Sequence, residues 1–80
     1  MPTKTLSPSN TQRALAAKII LKHYKEVKDG KAAGRERIEQ SDIDDLMTDI
    51  RHYCNQNRLS FGDAYRMSEV HYHAELAGED

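Results

Sequence analysis

The sequence predicts an all-α protein, a three-helix bundle with helices over about residues 10–28, 41–57 and 61–76. Two observations carry this prediction. In each segment apolar residues recur every three or four positions, which is the period of an amphipathic helix. A capping signal opens each segment, and no segment alternates apolar and polar residues as a strand does. We therefore expect one helical domain over residues 10–77.

The first helix is predicted to follow a disordered leader, residues 1–9, which contains two prolines and no apolar period. Ser9 or Asn10 is the expected cap. One side of this helix is an apolar stripe made of Ala16, Ile19, Ile20, His23, Tyr24 and Val27, with Leu15 beside it. The opposite side is basic and carries Arg13, Lys18, Lys22, Lys25 and Lys28. The simplest interpretation is that the stripe packs against the other helices and that the basic side is solvated.

A linker, residues 29–40, separates the first and second helices and contains a dense charge cluster. Gly30 is a natural helix terminator, and Gly34 weakens any continuation of the helix. A short helical turn between Ala32 and Gln40 stays possible, as does a backward extension of the second helix.

The second helix is the segment around which we expect the rest of the chain to pack. Ser41 is its predicted cap, and Asp44 stands where the acidic partner of a capping box belongs. Its apolar stripe is continuous and consists of Ile43, Leu46, Met47, Ile50, Tyr53 and Cys54. A stripe of this kind requires a partner surface.

The third helix is predicted to begin after Ser60, with Asp63 at the third helical position. It is apolar on more than one side. Its main stripe passes through Phe61, Tyr65 and Tyr72, and a second one holds Met67, Val70 and Ala74. We expect the second stripe to be a protein-interaction surface, because one side suffices to contact the other helices. The chain ends in an acidic tail, residues 78–80.

Charge is distributed unevenly along the chain. Residues 1–37 hold nine basic and three acidic residues, a net charge of +6, whereas residues 38–80 hold three basic and ten acidic ones, a net charge of −7. The asymmetry favours a basic first helix lying against acidic helices, in the same molecule or in a second copy. The alternative is nucleic-acid contact through the basic residues of the first helix and linker, namely Lys18, Lys22, Lys25, Lys28, Lys31, Arg35 and Arg37.

No metal site, cofactor or enzymatic activity is predicted. His52 and Cys54, like His71 and His73, are two residues apart, and such pairs point about 200° apart on a helix. Cys54 lies on an apolar stripe, where burial disfavours a reactive thiolate. With one cysteine and no signal-peptide pattern we expect a reducing cytoplasm, and no apolar run is long enough to span a membrane.

The segment from Leu46 to Cys54, LMTDIRHYC, carries a family resemblance. With the rest of the C-terminal half, it resembles short helical proteins of bacterial plasmids, integrated conjugative elements and prophages, which share an L-x-D-[IL]-R-H-[YW]-C core. Here two residues, Met47 and Thr48, stand between the Leu and the Asp. The resemblance covers about half of the chain and implies a cytoplasmic accessory protein of a mobile element that binds other macromolecules.

These observations lead to one functional hypothesis and one alternative. The leading hypothesis is a non-enzymatic helical interaction or regulatory protein, a homodimer or a partner of another protein, with no small-molecule substrate. The nucleic-acid-associated accessory protein described above is the alternative.

Overall fold

The computed structural model of the chain describes residues 9–78, and over this range the protein is all-α, a three-helix bundle. Helix α1 spans Asn10–Asp29, α2 spans Gln40–Gln56 and α3 spans Phe61–Ala77, with a 3-10 helix at Lys31–Arg35. The predicted helices are confirmed to within one residue at each end. The predicted leader and acidic tail lie outside the described residues, except for Ser9 and Gly78.

Helix α1 begins at a capping box. The backbone N–H of Gln12 donates to Ser9 Oγ at 3.1 Å, and the backbone N–H of Ser9 donates to Gln12 Oε1 at 2.9 Å. Of the two predicted caps, Ser9 and Asn10, Ser9 is therefore the one that caps the helix. The helix ends at Gly30, whose φ of 100° is open to glycine and strained for other residues.

The linker folds back onto α1 as the 3-10 helix. Ala33 and Gly34 are buried there. The side chain of Glu26 lies over the Cα of Gly34, at a place where a Cβ would collide with it. The absence of a side chain at Gly34 thus permits close approach of the linker to α1, in addition to disfavouring a longer helix.

Helix α2 begins one residue earlier than predicted, and its cap is Glu39 rather than Ser41. The backbone N–H of Glu39 donates to Asp42 Oδ2 at 2.6 Å, so Asp42 rather than Asp44 is the acidic partner. The physical reason is tertiary, because Lys25 of α1 holds the same carboxylate at 2.9 Å. That contact fixes where the helix begins.

Helix α3 follows a short connection and begins as predicted. The backbone N–H of Asp63 donates to Ser60 Oγ at 3.0 Å. In the connection, Arg58 has a φ of 60°, and the N–H of Leu59 donates to the carbonyl oxygen of Cys54. The far end of α3 meets the start of α1, where Arg13 Nε lies 3.4 Å from Glu75 Oε2.

The orientation of α1 is the reverse of the prediction. Lys25 is only 4% exposed, whereas Val27 is 72% exposed. Successive residues are about 100° apart around a helix, so Ala16, His23 and Val27 lie within about 20° of the direction opposite Lys25. The expectation that the apolar stripe packs into the bundle and that Lys25 is solvated is wrong: within the stripe Tyr24 is half-buried and the other members are exposed, whereas oxygen ligands from the linker and α2 converge on Lys25.

Burial is shallow throughout the described residues. They include nineteen residues of the types Leu, Ile, Val, Met, Phe and Tyr, of which fourteen are exposed and five are half-buried. The buried apolar residues are Ala33 and Cys54. The α2 stripe faces its neighbours only in part, since Leu46 is half-buried while Ile43 and Ile50 are exposed. The molecule therefore has many apolar groups at its surface and almost none in its interior.

Candidate interaction surface

The basic side of α1 faces inward and binds the linker. Lys22 Nζ donates to the carbonyl oxygens of Gly34 and Glu36, at 3.2 and 3.3 Å. Lys25 Nζ donates to the carbonyl oxygen of Arg37 at 3.0 Å. These carbonyls are at and beyond the end of a short helix, where they lack backbone partners. Two lysines thus tie the linker to α1.

Lys25 and Asp42 form a buried ion pair between α1 and α2. Their side chains are 5% and 9% exposed, and the Nζ to Oδ2 distance is 2.9 Å. The backbone N–H of Glu39 and the Lys25 ammonium hold the pKa of Asp42 below its ordinary value. Because each charge is removed from water, the pair stabilises the fold only while both members are present.

Two more contacts extend this α1–α2 junction. Lys28 Nζ donates to Asp45 Oδ2 at 3.0 Å, and hydrogen bonds to Asp45 and Asp29 raise the pKa of Lys28. The hydroxyl of Tyr24 donates to Asp49 Oδ2 at 2.6 Å. Loss of solvation and that hydrogen bond raise the pKa of Tyr24 to about 12. Basic and acidic halves of the sequence therefore meet within one molecule.

The seven basic residues predicted to contact nucleic acid fall into two groups. Lys22, Lys25 and Lys28 make the internal contacts above and are unsuited to binding phosphates. Across residues 9–78, the remaining four have no hydrogen bond or ion pair from their side chains and are exposed: Lys18, Lys31, Arg35 and Arg37. Three of the seven predicted residues are thus engaged within the molecule, and nucleic-acid contact stays a prediction.

The side of α1 away from Lys25 carries an apolar surface, which we call the outward stripe: Ile19, Ile20 and Val27, with Ala16 and His23 between them and Leu15 at its edge, about 80° from Lys25 around the helix. The large side chains of Leu15, Ile19, Ile20 and Val27 are 54%, 60%, 59% and 72% exposed, respectively. His23 belongs to this side, and its Nδ1 lies 3.8 Å from Glu26 Oε1. Contiguous exposed apolar surface is a recurrent feature of interaction sites, so the outward stripe is a candidate for one.

The predicted interaction residues of α3 are also exposed. Met67 and Val70 are 45% and 55% exposed, and Ala74 lies on the same side of the helix. The helical period places Asp63 and Arg66 near them, and these two form an ion pair of 2.7 Å. The α3 face is therefore smaller than the outward stripe and is interrupted by charge.

The candidate metal and catalytic residues do not assemble. Cys54 is buried, whereas His52, His71 and His73 are exposed. In the part of the chain that the structure describes, no three His, Cys, Asp or Glu residues come together in a metal-binding arrangement. An open depression is lined by Met47, Thr48, Arg51 and Phe61. There the guanidinium of Arg51 stacks on the ring of Phe61, 4.7 Å from its centroid, so these two side chains already contact each other.

Two features of the structure, the buried Lys25–Asp42 ion pair and the outward orientation of the α1 stripe, are not predicted from the sequence. The uneven charge was the available signal, since it favoured contact between basic and acidic helices.

No helix within residues 9–78 has the length and apolar content needed to cross a bilayer. No family model, curated protein or solved structure matches the chain. The resemblance of its C-terminal half to mobile-element proteins stays a prediction.

Proposed function

We propose that this chain is a non-enzymatic helical interaction protein that acts through protein contacts and self-associates. The observation that carries the proposal is the inverted burial. Within residues 9–78, fourteen of nineteen large apolar residues are exposed, while the side chain of Lys25 is 5% exposed. A small domain with so little apolar interior gains stability by covering its surface with another chain.

The energy available is large relative to the stability of a small domain. Fully burying one Leu, Ile or Val is worth about 1.5–3 kcal/mol. The four large residues of the outward stripe each keep more than half of their exposure. Covering them therefore contributes roughly 4–7 kcal/mol per copy before the entropy lost on association is subtracted, and this gross contribution is comparable to the free energy of unfolding of many domains.

A second copy of the chain is the partner we propose. It is present wherever the chain is made, and association of folded copies raises stability by mass action. The net charge of −1 imposes little repulsion between copies. Self-association of this kind is compatible with a cytoplasmic accessory role on a bacterial mobile element, the context that the LMTDIRHYC segment suggests.

The nucleic-acid alternative has weaker support. Three of its seven basic residues are engaged inside the molecule, and only four exposed cations are left for phosphate contacts. Each phosphate contact contributes to a steep dependence of affinity on salt. With four contacts at most, we expect weak binding that disappears at physiological salt.

Sedimentation velocity tests both functions in one experiment. The protein is run over a range of concentrations, alone and with a short labelled DNA duplex at low and moderate salt. A concentration-dependent shift to a dimer, with the duplex sedimenting freely at moderate salt, supports the interaction function. A monomer at every concentration that shifts the duplex in a salt-sensitive manner contradicts it and favours the alternative.

A further inference from the structure

The outward stripe of α1 and the charges of the same helix point to one specific pairing. From Leu15 to Val27 the stripe extends for about 18 Å, or more than three helical turns. We propose that it packs against the outward stripe of a second copy, so that the two α1 helices form the seam of the homodimer. This proposal rests on the proposed function, because it names the surface through which self-association occurs.

The distribution of charge favours a second copy as the occupant. Helix α1 contains five basic and two acidic residues, so two copies of it would ordinarily repel each other. Its four lysines, however, all lie within about 60° of the inward direction of Lys25, and three of them bind groups of the linker and α2. Two α1 helices can therefore meet along their outward stripes with the lysines of both copies pointing away from the seam.

Three charged residues flank the stripe and are already held within the molecule. Lys22, beside Leu15, donates to the carbonyl oxygens of Gly34 and Glu36. Arg13 lies 3.4 Å from Glu75 Oε2, and Glu26 lies over Gly34 and near His23. The stripe thus presents neither a net positive nor a net negative rim. A surface without a charge preference suits an identical neutral stripe better than a strongly charged partner.

The α3 face is one competing surface for the same role; the other side of α3 also exposes three large residues, Tyr65, Tyr72 and Leu76, two of which carry a polar hydroxyl. The α3 face offers two large apolar side chains, Met67 and Val70, against four on the outward stripe. The ion pair between Asp63 and Arg66 lies beside it and would lose solvation on burial. The predicted contact at Met67, Val70 and Ala74 is therefore the weaker candidate for the dimer seam.

His23 supplies a test that strengthens the seam instead of breaking it. Its side chain is 74% exposed, and it lies between Ile20 and Val27 on the outward stripe. Replacing it with leucine makes the stripe continuously apolar, at a position where leucine also suits a helix. We expect His23→Leu to tighten self-association roughly tenfold or more, since one added buried leucine is worth about one decade in affinity.

The experiment compares four proteins by sedimentation velocity, with helical circular dichroism to verify folding. They are the wild type, Ile20→Asp, His23→Leu and the matched control Val70→Asp, whose site is 55% exposed against 59% for Ile20. We expect the dimer dissociation constant to rise by at least about a hundredfold in Ile20→Asp, because an aspartate in an apolar seam loses its solvation. Val70→Asp is expected to leave it within about threefold of the wild type, as for surface substitutions elsewhere.

Each alternative outcome has a defined meaning. A dimer that is weakened by Val70→Asp and not by Ile20→Asp places the seam on α3 and overturns this inference, while self-association itself stands. A dimer unaffected by Ile20→Asp and His23→Leu also overturns it. A wild-type monomer at every concentration overturns both the inference and the proposed function. If Ile20→Asp does not fold, His23→Leu decides, since an unchanged dissociation constant there excludes the α1 seam.

Discussion

Removing the charge of Lys25 tests whether the inward basic side of α1 holds the fold together. Lys25→Met keeps the length and apolar stem of the side chain but abolishes its bonds to Asp42 Oδ2 at 2.9 Å and to the Arg37 carbonyl at 3.0 Å. Breaking one side of a buried ion pair costs about 3–5 kcal/mol. We expect the lower end, about 3 kcal/mol, because the remaining carboxylate still accepts the N–H of Glu39.

Lys18→Met is the matched control for this substitution. It removes the same charge from the same helix, but Lys18 is exposed and has no hydrogen bond or ion pair of its own within residues 9–78. Its effect should lie within about 0.5 kcal/mol of zero. The difference between the two variants therefore isolates the buried contacts from the change in net charge.

Urea unfolding followed by helical circular dichroism, at one fixed protein concentration, measures both variants. With a slope of about 1 kcal/mol per molar urea, a loss of 3 kcal/mol lowers the midpoint by about 3 M or leaves the protein unfolded without urea. The double variant Lys25→Met, Asp42→Leu should regain part of the lost free energy of unfolding, because it leaves no unpaired charge buried at this site. Equal midpoints for Lys25→Met and Lys18→Met would refute the account of the ion pair.

Three further predictions follow from the same contacts. First, the pKa of Asp42 is lower in the folded protein than its unfolded-state value of 3.8. Its contribution to stability is therefore complete above pH 3.8 and is lost as pH falls through the folded-state pKa. Urea midpoints measured from neutral to acid pH should show this loss of stability, and the loss should be smaller in Lys25→Met. Second, the pKa of Tyr24 is raised to about 12. Its contribution to the free energy of unfolding is therefore present below pH 10 and is lost as pH rises towards 12. Ultraviolet titration should show a tyrosine ionisation near pH 12 that is absent from Tyr24→Phe. Third, Gly34→Ala places a Cβ against Glu26 and should lower the free energy of unfolding by about 1–3 kcal/mol, measured in urea. The double variant Gly34→Ala, Glu26→Ala should regain part of this stability, and an equally unstable double variant would contradict the explanation.

The helices themselves could be predicted from local signals. Ser9 and Ser60 cap α1 and α3 as their sequences indicate, and Gly30 ends α1 with a positive φ. Each of these features depends on groups within four residues along the chain. They are therefore readable without knowledge of the tertiary structure. The start of α2 differs because Asp42 also binds Lys25, seventeen residues away.

The orientation of α1 could not be predicted from its own sequence. A periodic stripe shows which residues share one side of a helix, but it does not show what covers that side. Lys25 is buried because the Arg37 carbonyl and the Asp42 carboxylate converge on it from two separate segments. The positive charge of residues 1–37 and the negative charge of residues 38–80 indicate that an ion pair could form between them. They do not indicate which lysine forms it.

The predicted interaction residues show the same limit. Met67, Val70 and Ala74 form the predicted surface because α3 is apolar on two sides, and they are exposed in the structure. The sequence does not predict the outward stripe of α1 as an interaction surface, because its pattern is that of a helix packed into a core. Only the orientation of Lys25 shows that this pattern faces outward.

The central claim is that the protein completes its fold by covering its exposed apolar side chains with a second copy. Thermal unfolding of the wild type over a hundredfold range of protein concentration, followed by helical circular dichroism, tests this most directly. Coupled folding and association predict a melting temperature that rises steadily with concentration, because dimers are favoured by mass action. A melting temperature that is independent of concentration, together with a monomer in sedimentation, would contradict the account.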